Sequence, residues 1–117
     1  MRPPRPLTRG ELVLIQFPFT DLSSQKVRPA LIVGRVSGDD VIVAFVSSRM
    51  AGADPNAEQA VEPTDPEFRT TGLKTASLIR LNKLATLHRG LIRRRIGQVG
   101  PATQSAVDTS LRYVFEI

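Results

Sequence analysis

The chain alternates between short apolar runs and polar breaks rich in proline, glycine and hydroxyl side chains. Residues 10–17 are almost continuously apolar, as in a strand covered on both faces, and Pro18 ends the run. A second run spans residues 29–36, and a third spans residues 41–46. Turn-forming residues at 37–40 join these two runs, so we expect an antiparallel hairpin.

The second half of the chain continues the pattern of strands. Residues 51–71 form a long irregular region, interrupted by glycine and proline, in which residues 59–62 have the character of a short strand. Two further strands are predicted at residues 76–81 and 83–87, and another within residues 91–99. The pattern therefore predicts a mainly β protein.

The last element is predicted to be a helix. Pro101 stands where a helix can begin, and apolar residues recur at helical spacing over residues 106–115. Several strands with one helix are most simply arranged as a small, strongly curved barrel or half-barrel, one end of which the helix closes. We expect residues 10–117 to form a single domain and the proline-rich residues 1–9 to form an extended arm.

Composition indicates a partner of negative charge. The 117 residues include 16 Lys and Arg against 11 Asp and Glu, giving a net charge of +5 and a pI near 10.7. Such a charge raises the local concentration of polyanions, so a nucleic acid is a plausible partner, although basic proteins without that role share this composition. With five Phe, one Tyr and no Trp, the core must be built mostly from Val, Leu and Ile.

One acidic segment interrupts this basic chain. Residues 54–67 contain five acids and neither lysine nor arginine. Two interpretations stay open, a solvated loop and a segment that borders or shields a binding groove.

Several classes of function lack their signatures. Without cysteine there is no disulfide and no thiolate metal site, which is compatible with a cytoplasmic location. No apolar stretch approaches the roughly 18 residues of a transmembrane helix, and the N-terminal residues do not form a secretory signal. There is no phosphate-binding glycine loop, dinucleotide fingerprint, metal-spaced pair or nucleophile elbow, so no cofactor or metal is predicted.

Candidate chemistry lies where two strands end. The loop at residues 17–27 leads into Arg28, and the third apolar run ends in Ser47, Ser48 and Arg49. These breaks supply hydroxyls and guanidinium groups, and the planar donor fork of arginine matches two phosphate oxygens. The sequence therefore predicts a site for RNA, with Arg28 and Ser47 as the central pair.

The same segments resemble the PemK/MazF-type toxin family. The resemblance is carried by GELVL, FPFTDL and KVRPALIV in the first third of the chain and continues through VAFVSS, GLK and LATL to LIRRRIG. It implies an SH3-like barrel, usually a homodimer, that cleaves single-stranded RNA without a metal and is neutralised by an antitoxin protein. Arg28 and Ser47 occupy the positions of the family's usual catalytic pair.

Additional RNA contacts are expected from residues around this pair, namely Gln25, Lys26, Ser48, Arg49 and Arg80. Some family members carry an arginine and an aspartate two residues apart as acid and base, and the matching positions here are Arg80 and Asn82. Because an amide cannot accept that proton and an arginine is a poor base, the general base stays unassigned.

Other interpretations of the same residues stay open. Arg28 could serve a structural ion pair, and Arg80 could simply face solvent. Strand alternation puts Ser48 on the face opposite Ser47, so one of the two serines should be buried or structural. We expect the three arginines at residues 93–95 to form a solvated strand or turn.

Two other functions fit this ancestry. One is a barrel that binds nucleic acid or a partner protein without cutting, and the other is a relative that poisons gyrase, which no residue of this sequence favours.

Overall fold

A computed structural model describes residues 6–16, 27–35 and 38–117, which form one six-stranded antiparallel sheet, two α-helices and one short 3-10 helix (Arg89–Leu91). The strands lie in the order β4-β5-β3-β2-β1-β6. In chain order the elements are β1 (Glu11–Gln16), β2 (Val27–Arg35), β3 (Asp40–Ser47), β4 (Glu58–Val61), α1 (Phe68–Thr71), β5 (Ser77–His88), β6 (Ile92–Gln98) and α2 (Pro101–Phe115).

The mainly β fold with a C-terminal helix is confirmed, and the word barrel applies only loosely. The sheet is curved but not closed, because β4 and β6 form its two edges. The hairpin of β2 and β3 is present, with Ala30 opposite Phe45. Gly38 lies in its turn at a φ of 74°, a left-handed conformation that glycine adopts without steric cost.

The two strands expected at residues 76–81 and 83–87 are wrong as separate elements. They are the arms of one continuous strand, β5. Its pairing with β3 shifts between the Ala44–Leu84 and Phe45–Arg80 pairs, so the intervening residues 81–83 of β5 bulge. The strand bends at this bulge without ending.

Both faces of the central strands are covered, which explains their continuous apolar runs. In β1, Leu12 belongs to the core cluster that includes Val107 of α2, while the adjacent Val13 belongs to a second cluster with Ile32. Leu7, in the described end of the N-terminal arm, packs against this second cluster. Residues 1–5 of the arm lie outside the described part of the chain.

Backbone packs directly on backbone where α1 meets β6. A Cβ atom on Gly97 would stand 2.2 Å from the carbonyl oxygen of Thr70, and one on Gly72 would stand 1.9 Å from that of Ile96. Such distances lie far inside ordinary contact, so both positions need glycine. The chain that leaves edge strand β4 thus crosses to edge strand β6 before it enters β5.

Several carboxylates of the acidic segment make structural contacts that neither sequence-based interpretation anticipated. The Glu67 carboxylate accepts hydrogen bonds from the backbone N–H of Ala102 at 3.0 Å and of Thr103 at 3.1 Å. These are orphan donors in the first turn of α2, whose own N-cap residue, Gly100, has no side chain to accept them. Glu67 therefore caps α2 from a distant position in the sequence.

Other acids of this segment are also engaged. Oε1 of Glu58 accepts from the backbone N–H groups of Ala53 and Asp54, and the hydroxyl of Tyr113 donates to Asp54. Asp65 accepts from the backbone N–H of Glu67. The carboxylates thus organise the loop between β3 and α1.

We expect Glu67→Gln to make the free energy of unfolding change less when the pH is lowered. The hydrogen bonds from Ala102 and Thr103 favour the charged carboxylate and lower the pKa of Glu67 below its ordinary value of 4.5. The charged cap therefore stabilises the native state above that pH, and its contribution is lost as the pH falls through the lowered pKa.

Thermal unfolding followed by circular dichroism should show Glu67→Gln melting a few degrees below the wild type at neutral pH. The difference should shrink on acidification below about pH 4.5. Glu62→Gln is the matched control, because Glu62 is an exposed acid of the same segment. An equal loss in both variants, or a gap that does not depend on pH, would contradict the capping role.

Candidate functional site

A cavity of about 420 Å³ opens where several strands end beside the segment that follows α1. Its described lining comprises Leu14, Arg28, Pro29, Val46, Ser47, Ser48, Arg49, Gly72, Leu73, Lys74, Thr75, Ser77, Arg94 and Ile96.

Arg28 and Ser47 come together in this cavity. Ala30 lies opposite Phe45 in the β2–β3 ladder, and the same register carried two positions further brings Arg28 across from Ser47. Residues opposite one another in an antiparallel pair share a face of the sheet. Arg28 is exposed and Ser47 is half-buried, so the core covers neither side chain.

The two serines also differ from the sequence-based expectation. Strand β3 ends at Ser47, so the alternation of faces does not extend to Ser48, which is exposed and lines the same cavity. The Ser47 Oγ accepts a hydrogen bond from the backbone N–H of Arg49 at 3.1 Å. This bond orients the hydroxyl and leaves its hydrogen available to donate to a ligand.

The cavity is strongly cationic. Arg28, Arg49, Lys74 and Arg94 all line it, and none of the lining residues in the described part of the chain is acidic. Like charges gathered along a concave wall focus the field and attract anions. Hydroxyls from Ser47, Ser48, Thr75 and Ser77 add neutral donors, and the set as a whole suits a phosphodiester.

Lys74 and Arg94 are cavity residues that the sequence interpretation did not select. Arg94 pairs with Leu14 across β1 and β6, and both side chains line the cavity. The neighbouring Arg95 forms an ion pair with Glu11 at 3.2 Å. The expectation of a solvated strand at residues 93–95 fits Arg93 and Arg94, which are exposed in β6, and does not hold for Arg95, which is partly buried in its ion pair.

Arg80 is not brought to this cavity. Its Nη1 lies 3.3 Å from Oε2 of Glu58, and the two side chains are only 15% and 2% exposed. The pair joins β4 to β5, where Glu58 and Arg80 stand opposite one another. Gln25 and Lys26 lie outside the described residues.

Acid–base groups are absent from the described lining. His88, the only histidine of the chain, lies at the end of β5, where its Nδ1 accepts from the backbone N–H of Gly90. Asn82 is exposed in the β5 bulge.

Neither α-helix within the described residues is long and apolar enough to cross a membrane.

Fold and cavity together define a small curved-sheet protein with a cationic cleft for a polyanion. The family described as PemK-like, MazF-like toxin of type II toxin–antitoxin system matches residues 8–115, so the chain belongs to that family. No curated protein matches the sequence.

Solved structures of toxins share this fold. An endoribonuclease from a mycobacterial species, in complex with its cognate antitoxin, is 20% identical with a TM-score of 0.71, over 97% of each chain. The Mycobacterium tuberculosis toxin MazF-mt6 is 20% identical with a TM-score of 0.70, over 92% of this chain and 97% of that chain. A second mycobacterial endoribonuclease is 21% identical with a TM-score of 0.67, over 93% and 90%.

Proposed function

We propose that this protein is the toxin of a type II toxin–antitoxin pair and acts as a metal-independent endoribonuclease on single-stranded RNA. The observation that carries this proposal is the meeting of Arg28 and Ser47 in one cationic cavity. Family membership and the endoribonucleases of the same fold support it.

The proposed reaction is an in-line displacement at phosphorus. The ribose 2′-oxygen forms a bond to the adjacent phosphorus and gives up its proton, while the bond from phosphorus to the 5′-oxygen breaks and that oxygen takes up a proton. The products are a 2′,3′-cyclic phosphate and a 5′-hydroxyl. Charge grows on the non-bridging oxygens in the transition state, and preorganised donors aimed at that charge lower the barrier.

Arg28 and Ser47 divide this work between them. The Arg28 guanidinium spans two phosphate oxygens with its fork, and the Ser47 hydroxyl donates to the same phosphate or orients the nucleophile. The cavity acts by stabilising charge, because its described lining supplies no carboxylate or imidazole. Asp21, the nearest loop carboxylate in sequence to Arg28, lies outside the described residues.

An antitoxin protein is the proposed physiological partner, because a structure of the same fold is a complex with its cognate antitoxin. The homodimer suggested by the resemblance stays a prediction. A cytoplasmic location is likewise a proposal, supported by the absence of cysteine and by RNA as the substrate.

We expect the purified protein to cut single-stranded RNA in the presence of excess EDTA. Mass spectrometry of the fragments should find 2′,3′-cyclic phosphate and 5′-hydroxyl ends. Single-stranded DNA of the same sequence is the control and must stay intact, since it lacks the nucleophile. RNA that is bound but not cut would reject the nuclease and favour the non-catalytic binding protein.

A further inference from the structure

A second cavity, of about 250 Å³, lies on the other side of the segment that follows β3. Its described lining is Met50, Gly52, Pro55, Glu58, Ala60 and Leu78. Ser48 and Arg49 line the first cavity, and Met50 and Gly52 line the second, so this short segment runs from one to the other.

Strand register places the second cavity beside Ser47. Ser47 stands opposite Leu78 in the β3–β5 ladder, and Leu78 stands opposite Ala60 in the β4–β5 ladder. Continued in the other direction, this row reaches Arg28 in β2. Because neighbouring strands lie about 4.8 Å apart, the second cavity begins one strand away from Ser47.

The lining of the second cavity combines apolar walls with one carboxylate. Met50 is an exposed hydrophobic side chain, 37% accessible, while the Glu58 side chain is only 2% exposed. Within the described residues, Oε1 of Glu58 accepts two backbone N–H groups and Oε2 accepts from Arg80. A carboxylate has about four acceptor positions, so one on Oε2 is left for a ligand.

These properties fit a nucleobase. The volume equals roughly eight waters' share of the liquid, which is too large for a single ion and suits one ring system. The faces of a base are apolar and pack on a thioether or a proline ring, while its edge needs a hydrogen-bonding partner. A carboxylate accepts from an exocyclic amino group, such as N4 of cytosine.

We propose that this cavity binds the base of a nucleotide flanking the phosphate held by Arg28 and Ser47, and that Glu58 favours a base with an exocyclic amino group. The proposal rests on the proposed RNA substrate and names residues that set sequence preference. Between the two cavities, the backbone N–H of Arg49 donates a hydrogen bond to Ser47 Oγ.

Ala60→Phe tests the base site, because it fills the cavity from an exposed position on an edge strand. Thr86→Phe is the matched control, since Thr86 is an exposed strand residue that lines neither cavity. Cleavage is measured on oligonucleotides spanning a mapped site, in which each flanking base is removed in turn. Binding of oligo(C) and oligo(U), made non-cleavable by 2′-deoxy sugars, is measured in parallel by fluorescence anisotropy.

For the wild type and Thr86→Phe, removal of one flanking base should slow cleavage roughly 5- to 100-fold, and oligo(C) should bind more tightly than oligo(U). Ala60→Phe should cut the intact RNA slowly and lose both kinds of base dependence. Base dependence that persists in Ala60→Phe, or is absent from the wild type, overturns the base site. Binding that depends on the base without any cleavage overturns the nuclease and leaves the base site standing.

Discussion

Replacement of Arg28 by alanine is expected to reduce RNA cleavage by about 10²- to 10³-fold while the protein stays folded. Arg28 stands across from Ser47 in the row that joins the strands, and the proposed transition state gathers charge beside this pair. Because the side chain is exposed, its loss removes little packing. Single-turnover cleavage of a labelled oligonucleotide measures the effect, and circular dichroism checks the fold.

Two further variants show what Arg28 contributes. Arg28→Lys keeps the charge without the donor fork, so it should recover only part of the rate. Arg112→Ala removes an equal charge from an exposed position on α2 and should cut nearly as fast as the wild type. Ser47→Ala should lower the cleavage rate by a smaller factor in the Arg28→Ala background than in the wild type, because the effects of groups that act together are not additive. Equal rates for Arg28→Ala and Arg112→Ala would remove Arg28 from the mechanism.

Gly97→Ala is expected to destabilise the fold by about 3 kcal/mol or more, a large part of a typical 5–15 kcal/mol. The added Cβ would lie 2.2 Å from the Thr70 oxygen and 2.4 Å from the Thr71 carbonyl carbon. Both are backbone atoms, so no side chain can rotate away, and α1 would have to leave β6. Urea unfolding followed by circular dichroism measures the loss.

Gly34→Ala is the control for this steric argument. Gly34 is also a strand glycine, but its added Cβ would meet the Ile42 side chain no closer than 3.5 Å, an ordinary contact. We expect that variant to stay within about 1 kcal/mol of the wild type. If Gly97→Ala and Gly34→Ala lose equal free energy of unfolding, the close backbone contact between α1 and β6 does not constrain the fold.

The sequence pattern correctly predicted those elements whose ends are determined by residues close in sequence. Pro101 and the helical spacing after it gave α2, and the turn residues around Gly38 gave the hairpin of β2 and β3. The continuity of β5 could not be obtained in this way. The bulge at residues 81–83 is determined by the register of β5 with β3. The polar residues Asn82 and Lys83 have the pattern expected at the end of a strand, so the sequence alone predicts two strands here.

The residues of the candidate site likewise fall into those that the local sequence indicated and those that it did not. Arg28 and Ser47, which line one cavity, were selected from the sequence because Arg28 precedes an apolar run and Ser47 follows one. Arg94 was missed because its direction depends on the irregular register of β6 against β1. The capping of α2 by Glu67 was also missed, since no local pattern connects residues so far apart.

The strand order also governs how the molecule folds. The hairpin of β2 and β3 closes a short loop, whereas β1 and β6 pair across most of the chain and close a long one. Contacts distant in sequence form slowly, because a large loss of chain entropy precedes them. A half-folded chain would already hold Arg28 near Ser47 but would lack the wall that carries Arg94. The complete cationic cavity is therefore assembled only when β6 has paired with β1.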